Sequence, residues 1–233
     1  MPVAGVAMVA RVLRTVSEAL PDAPIFLSVE DFEVVRHDAT VARLHAAGRL
    51  RPVEAQHNIV DSVVRASETT GFPLVITTAD NVLLTPDGLH ALLAEAGQGD
   101  ADVVVAMAEK KAIRAAHPDG QRRFYEFADG GYSNCNMFWL GNERALRATE
   151  SFREGGQFAK HPARLIKAFG LVNLVRFRLG WWSLATGFRA ISRRFGVRVK
   201  PWIAEDGRLA IDVDNERTHR VAEEILARET GGS

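Results

Sequence analysis

Short apolar runs alternate with segments of helical spacing along the first half of the sequence. The clearest runs are residues 25–29, 72–78 and 102–107, each short and aliphatic enough for a strand buried on both faces. Apolar residues in the segments between them recur every three or four positions, which is typical of helices. A repeated order of strand and then helix selects a mostly parallel sheet with helices on both faces. The sequence therefore predicts an α/β fold.

The remaining elements follow from the same patterns. Helices are predicted at residues 5–20, 39–47, 58–70, 87–96, 144–152 and 215–227, with two or three more between 162 and 195. Further strands are predicted at 50–55, 197–202 and 209–213. Residues 128–131, Ala-Asp-Gly-Gly, separate two apolar stretches and predict a turn between antiparallel strands. We therefore expect a mixed sheet that has this antiparallel pair at its edge.

The chain has 233 residues, of which 47% are hydrophobic and 25% charged, as in an ordinary globular domain. We expect one domain over residues 1–233, with a basic, aromatic helical insertion at 160–195. Cys135 is the only cysteine, which excludes a disulfide framework or a cysteine-based zinc site within the chain. The sequence shows no secretory signal and no apolar stretch of about 18 uncharged residues. Together these features predict a cytoplasmic protein.

Charge is unevenly distributed, although the formal net charge is zero. Residues 155–204 contain ten basic residues and no acid, so the rest of the chain carries a net charge of about −10. Such a segment, rich in aromatic residues, could bind an anionic substrate or make peripheral contact with an anionic membrane. Alternatively, it forms a helical cap whose arginines are solvated or contact the acidic part of a partner subunit in a homodimer. No nucleic-acid-binding module is recognised, so no nucleic-acid partner is expected.

Acidic residues occur where two of the predicted strands end. Asp80 follows the apolar run 72–78, and ligands of open α/β sheets bind at the carboxyl ends of strands. A carboxylate fixed there can hold Mg²⁺ and present it to phosphates, although an aspartate in this place is more often a turn or capping residue. Asp212 and Asp214 alternate and therefore face the same side, where a cation or a basic neighbour is expected. Asp214 or Asn215 could also simply cap the last helix.

Several of these segments together resemble the molybdenum cofactor cytidylyltransferase-like (MobA-like) nucleotidyltransferases. Residues 73–81, Pro-Leu-Val-Ile-Thr-Thr-Ala-Asp-Asn, are similar to the metal-binding strand of that family. Residues 211–215, Ile-Asp-Val-Asp-Asn, are similar to its closing acidic motif. Residues 6–13 resemble the helix that follows its glycine-rich loop, and residues 58–66 resemble the helix start that helps to hold the base.

The resemblance implies a Rossmann-like fold of the GT-A type. It also implies that a nucleoside monophosphate passes from a nucleoside triphosphate, with CTP favoured, to a small phosphorylated acceptor, and that pyrophosphate leaves. The residues implied to be catalytic and to bind Mg²⁺ are Asp80 and Asp214. Those implied to bind the nucleotide are Gln56, Asn58, Ser62 and Asp80. Those implied to bind the acceptor are Gly131, Asn134 and Asn136.

The sequence departs from the family at one point. The family's glycine-rich loop, with the arginine and lysine that contact the triphosphate, should precede Pro2 and is not in the sequence. Backbone N–H groups of such a loop cradle phosphates, so we expect the chain as given to bind nucleotide poorly. The explanation is either a true start that lies upstream or a shortened, inactive member. We favour the first, because the apolar pattern of residues 6–20 still predicts the helix that follows the loop.

Two other functions remain open at the level of sequence. A GT-A-like glycosyltransferase would use similar acids to hold a sugar nucleotide, and it would not release pyrophosphate. A non-catalytic relative would bind an anionic membrane or a partner through the basic insertion.

Overall fold

The computed structural model describes residues 1–149 and 182–231. Within these ranges the strands are β1 (Pro2–Val3), β2 (Val6–Ala7), β3 (Ile25–Val29), β4 (Leu50–Glu54), β5 (Leu74–Thr77), β6 (Val103–Glu109), β7 (Tyr125–Phe127), β8 (Gly130–Leu140) and β9 (Val199–Ala204). The helices there are α1 (Met8–Ala19), α2 (Ala39–Ala46), α3 (Ile59–Thr70), α4 (Pro86–Ala96), α5 (Lys110–Ala116), α6 (Leu146–Thr149), α7 (Leu184–Phe195) and α8 (Glu216–Gly231).

Five strands form the central sheet. The strands β5, β8, β6 and β9 lie side by side in that order, and β7 pairs with β8. β8 is antiparallel to both β5 and β6, whereas β6 and β9 are parallel. Consequently β5, β6 and β9 share one direction, and β8 runs against them. The α/β class and the mixed sheet predicted from the sequence are confirmed.

β7 and β8 form the antiparallel hairpin that the Ala-Asp-Gly-Gly stretch predicts. The expected position at the edge of the sheet is wrong for β8, which lies between β5 and β6. Its side chains explain this place, because Met137 packs in the core on one face of the sheet and Leu140 in the core on the other. An edge strand would leave part of this apolar surface in water.

Helices cover both faces of the central sheet, and β6 shows this most directly. Val104 and Ala106 enter a core that also contains apolar side chains of α4, α5 and α8. Val103 and Val105 enter the opposite core, which they share with α7. Both sets are buried, as expected of a strand whose successive side chains point to opposite faces of a covered sheet.

β3 and β4 form a separate parallel pair, with Ile25 opposite Leu50. Leu13 of α1 and Leu44 of α2 pack with these two residues in a third, smaller core. α1 also contributes Val12 to the core that contains α4 and α8. This helix therefore connects the two-stranded sheet with the central one.

Two helices begin within one residue of the predicted positions because their caps are local. Asn58 Oδ1 accepts a hydrogen bond from the amide of Asp61 at 2.9 Å at the start of α3, and Gly71 ends that helix with φ of 71°. At the start of α4, Thr85 Oγ1 accepts from the amide of Gly88 at 3.1 Å, and Pro86 is the first helical residue.

The prediction of a strand at residues 209–213 is wrong. Gly207–Ala210 form a 3-10 turn, and residues 211–214 have no strand partner in the described part of the chain. A Cβ atom built on Gly207 would lie 2.2 Å from the carbonyl carbon of Ala112, so the turn packs directly on the backbone of α5. The segment is therefore held against α5 and the ends of β6 and β8 and does not extend the sheet.

Several predicted helices differ from the structure or are only partly described. The one at 144–152 is described as a 3-10 turn at Glu143–Ala145 followed by α6. The one at 5–20 begins at Met8 and not at residue 5, because a hairpin of β1 and β2 precedes it. Of the predicted insertion at 160–195, the described part is α7, which packs Leu184 and Phe188 into the second core. Residues 150–181 lie outside the described residues. In the described ranges, no helix has the length and apolar character needed to cross a membrane.

Candidate metal centre

Asp80 lies just beyond the carboxyl end of β5, as its position after the apolar run predicts. The hydroxyl of Thr78 donates a hydrogen bond to Oδ1 of Asp80. The backbone carbonyl of Asp80 accepts a hydrogen bond from the amide of Val213 at 3.0 Å. This second bond joins the loop after β5 to the segment that precedes α8.

Asp212 and Asp214 flank Val213 in that segment. Val213 is buried in the first core, so its two neighbours project together on the opposite side, as alternation predicts. One carboxylate oxygen from each of Asp80, Asp212 and Asp214 lies within 4.8 Å of the other two. Asp80 and Asp212 are half-buried, and Asp214 is exposed. Asp212 is therefore a third member of this carboxylate cluster, beyond the two ligands that the resemblance implies.

Of the two residues that could cap the last helix, Asp214 and Asn215, it is Asn215 that does so. Asn215 Oδ1 accepts hydrogen bonds from the amides of Arg217 at 3.1 Å and Thr218 at 3.2 Å, so Asn215 caps the start of α8. Thr218 in turn accepts from the amide of Asp214 at 3.0 Å through its hydroxyl oxygen. The carboxylate of Asp214 is thus not needed as the cap and remains in the cluster.

The electrostatics of the cluster favour a cation. Burial, and next the charge of Asp214, raise the pKa of Asp212 to about 6, and Asp80 adds to the effect. Within the described ranges, none of the three carboxylates forms a salt bridge with lysine, arginine or histidine. Three close oxygen donors without a basic partner are a donor set that suits Mg²⁺. The residues present therefore fit the ion.

A bulge of β8 lies beside the cluster. Asn134 and Asn136, two of the residues implied to bind the acceptor, lie just before it and within it, and Nδ2 of Asn136 donates to Oδ2 of Asp212 at 3.3 Å. Gly131 pairs with Glu126 in the β7–β8 hairpin. Three strand positions, about 10 Å, separate it from Asn134. The structure therefore brings Asn136 to the carboxylates and places Gly131 further along β8.

The residues implied to bind the base and ribose form one hydrogen-bonded turn at the start of α3. Ser62 Oγ accepts from the amide of Gln56 at 2.9 Å and donates to the carbonyl of Asn58 at 3.0 Å. Asn58 Nδ2 donates to Asp61 at 2.7 Å. Gln56, Asn58 and Ser62 are thus brought together with one another, and the polar atoms of Asn58 stabilise the helix start.

Basic residues near the strand ends are engaged by acids of the same chain. Lys110 Nζ lies 2.9 Å from Glu126, and Lys111 Nζ lies 2.7 Å from Glu109. Of the basic stretch 155–204, Arg198 pairs with Asp102 at 3.1 Å, and Lys200 contacts Glu95 and Asp100 at 2.6 and 2.8 Å. Part of the charge asymmetry is therefore neutralised within the molecule. The exposed arginines of α7 are Arg189, Arg193 and Arg194.

Cys135 is a core residue of β8. It is 1% exposed and carries a free thiol whose pKa is raised by burial. A thiol in this state is a poor nucleophile.

Comparison with known structures shows a fold that is shared over nearly the whole chain. A hypothetical transferase from Thermus thermophilus is 22% identical, with 94% of this chain and 88% of that chain covered and a TM-score of 0.74. CMP:2-keto-3-deoxy-manno-octonic acid synthetase, solved with CTP, is 11% identical, with coverage of 98% and 91% and a TM-score of 0.60. The 4-diphosphocytidyl-2C-methyl-D-erythritol synthase of Anaerococcus prevotii is also 11% identical, with coverage of 98% and 92% and a TM-score of 0.62. No family model and no curated protein matches the sequence.

Proposed function

We propose that this protein is a magnesium-dependent nucleotidyltransferase. It transfers a nucleoside monophosphate from a nucleoside triphosphate to a small phosphorylated acceptor, with release of pyrophosphate. The observation that carries the proposal is the convergence of Asp80, Asp212 and Asp214 beyond the carboxyl end of β5, without a basic partner in the described ranges. The carboxyl ends of strands are where α/β sheets bind their ligands.

The three carboxylates would hold Mg²⁺. When bound, the ion supplies positive charge that neutralises phosphate oxygens and stabilises the leaving pyrophosphate. Thr78 keeps Asp80 in place through its hydrogen bond. An acceptor oxygen forms a bond to the α-phosphorus while the bond from that phosphorus to the pyrophosphate oxygen breaks. Because no covalent bond to the protein is needed, the side chains contribute alignment and charge.

The finer assignments are part of the same proposal. We assign the base and ribose to the turn of Gln56, Asn58 and Ser62, and the acceptor to the β8 residues Gly131, Asn134 and Asn136.

The kinship with the molybdenum cofactor cytidylyltransferase-like enzymes rests on the motifs 73–81 and 211–215. CTP is favoured because one structure with the same fold was solved with CTP. The single free cysteine supports a cytoplasmic location.

The first experiment is thermal unfolding in the presence of Mg²⁺ with CTP, GTP, UTP or ATP. It uses the chain as given and a form extended by the upstream codons. A nucleotide at 10 to 100 times its Kd should raise the apparent free energy of unfolding by about 1 to 3 kcal/mol. Asp80→Ala should abolish the rise. Asp87→Ala should preserve it, because Asp87 is exposed on the first turn of α4 and outside the cluster.

The stabilising nucleotide is then incubated with phosphorylated acceptors, and pyrophosphate is measured. Release of pyrophosphate separates a nucleotidyltransferase from a glycosyltransferase that uses a sugar nucleotide. If neither form of the protein is stabilised by any of the four nucleotides, the proposed function is wrong.

A further inference from the structure

The bulge in β8 has an unusual backbone at Asn136. Val105 of β6 lies opposite Phe138, and Met107 lies opposite Asn134, so β8 has three residues where β6 has one. Asn136 adopts φ of 49°, a left-handed conformation that asparagine tolerates better than most residues. The backbone N–H of Asn136 donates to Oδ1 of Asn134 at 2.9 Å, and this hydrogen bond stabilises the bulge. Bulges of this kind change the direction of a side chain and occur often beside functional sites.

The same bulge contacts both segments that supply the carboxylates. Nδ2 of Asn136 donates to Oδ2 of Asp212 at 3.3 Å. Nδ2 of Asn81, the residue after Asp80, donates to the backbone carbonyl of Cys135 at 3.0 Å. Asn81 is 1% exposed, so this second bond is shielded from water. The bulge therefore joins the loop after β5 to the segment before α8.

We infer that Asn136 is a positioning residue, which holds one oxygen of Asp212 so that this carboxylate faces Asp80 and Asp214. The inference rests on the proposed function and adds to it a residue that shapes the metal site. Without a donor at Oδ2, repulsion from the two neighbouring carboxylates would turn Asp212 toward water. A neutral amide holds the carboxylate and leaves its negative charge available to the cation, whereas lysine or arginine would compete with the cation. This role of Asn136 is exerted through Asp212 and is separate from the contact with the acceptor that is assigned to Asn136 above.

The test measures binding of Mn²⁺ alone, without nucleotide, by electron paramagnetic resonance or calorimetry. The main variant is Asn136→Gly. It removes the side-chain amide, and glycine adopts φ of 49° without strain. We expect its Kd for Mn²⁺ to rise about tenfold, as is typical when a partner of a metal ligand is removed. Cys135→Ala is the matched control in the same bulge, because it leaves both hydrogen bonds in place and should not change the Kd. Circular dichroism melts establish that each variant is folded.

A double-mutant cycle separates the positioning role from a general structural one. If Asn136 acts through Asp212, Asn136→Gly should weaken Mn²⁺ binding no further once Asp212→Asn is present. An unchanged Kd in Asn136→Gly would overturn the inference, even if transfer to the acceptor were lost, and would leave the proposed function intact. If neither the chain as given nor the extended form binds Mn²⁺ or a nucleotide, the proposed function fails together with the inference.

Discussion

At Asp212, burial favours the neutral carboxyl, whereas a bound cation would favour the charged carboxylate. This residue is half-buried beside Asp80 and Asp214, and burial raises its pKa from the ordinary 3.8 to about 6. The folded protein therefore holds this proton more tightly than the unfolded chain does. The stabilisation that results is complete below about pH 4 and is lost as the pH rises through about 6.

This shift predicts a specific dependence of stability on pH and metal. Without a divalent cation, the unmodified protein should lose more stability between pH 4 and pH 7 than Asp212→Asn, by at most about 3 kcal/mol at roughly 1.4 kcal/mol per pKa unit. Added Mg²⁺ should restore stability at pH 7 and have little effect at pH 4.5, where the carboxyl is protonated. Urea denaturation at each pH measures the difference. Parallel profiles for the two proteins would show that Asp212 is not the group responsible, and Asp87→Asn serves as the exposed control.

Among the elements, three strand ends are joined by a single carboxylate. Asp102 precedes β6 and is 3% exposed. It accepts hydrogen bonds from the amide of Arg198, before β9, at 2.8 Å, and from Nδ2 of Asn142, after β8, at 3.0 Å. The Arg198 guanidinium also contacts it at 3.1 Å, and these bonds hold the pKa of Asp102 well below its usual range. Since the pKa is lowered, the stabilisation is complete at neutral pH and is lost progressively as the pH falls below about 4.

Removing this carboxylate should therefore be costly. We expect Asp102→Ala to lower the free energy of unfolding by about 3 kcal/mol, because it leaves the backbone N–H of Arg198 and Nδ2 of Asn142 without their buried acceptor. Asp100→Ala is the control, since Asp100 contacts Lys200 at an exposed site and its loss should cost much less than the loss of Asp102. Urea denaturation at pH 7 measures both values. Equal losses in the two variants would contradict the role given to Asp102.

On the scale of the whole molecule, α8 holds together segments that are far apart in the sequence. His219 of α8 contacts the carbonyl of Pro2 at 2.7 Å, and Glu223 accepts from the amide of Ala4 at 3.2 Å. Nε2 of His117, at the end of α5, lies 3.0 Å from Glu224. Asp214, in the carboxylate cluster, lies two residues before this helix. The docking of α8 therefore helps to set the position of the site.

The bond between His117 and Glu224 can be tested alone. Nδ1 of His117 accepts from the amide of Asp119 at 3.1 Å, so Nε2 carries the proton and Glu224 is the acceptor. His117 is 6% exposed, and Glu224→Ala would leave its N–H unpaired at a cost of about 1 to 2 kcal/mol. Glu224→Gln retains an acceptor oxygen and should cost less. Thermal unfolding of both variants measures the difference, and an equal loss would exclude the hydrogen bond as the cause.

Much of the fold could be predicted because its signals are local. Apolar runs such as residues 102–107 and caps such as Asn58 depend on neighbours within a few positions, so the sequence determined most helices, the buried strands and the α/β class. The alternation of Asp212 and Asp214 likewise predicted their common orientation. The place of β8 depends on which distant strands cover its two faces, and periodicity carries no information on that pairing.

The tertiary structure alone decided how the carboxylates meet. Asp80 and Asp212 are 132 positions apart in the sequence, and their approach depends on the bond between the Asp80 carbonyl and Val213 and on the bulge at Asn136. The left-handed backbone at Asn136 occurs where three residues of β8 lie opposite one residue of β6, a pairing that neither strand reveals alone. The sequence by itself therefore determined the elements and the acidic residues at their ends. Long-range pairing, whose free energy is shared among segments far apart in the chain, decided which of those acids form one site.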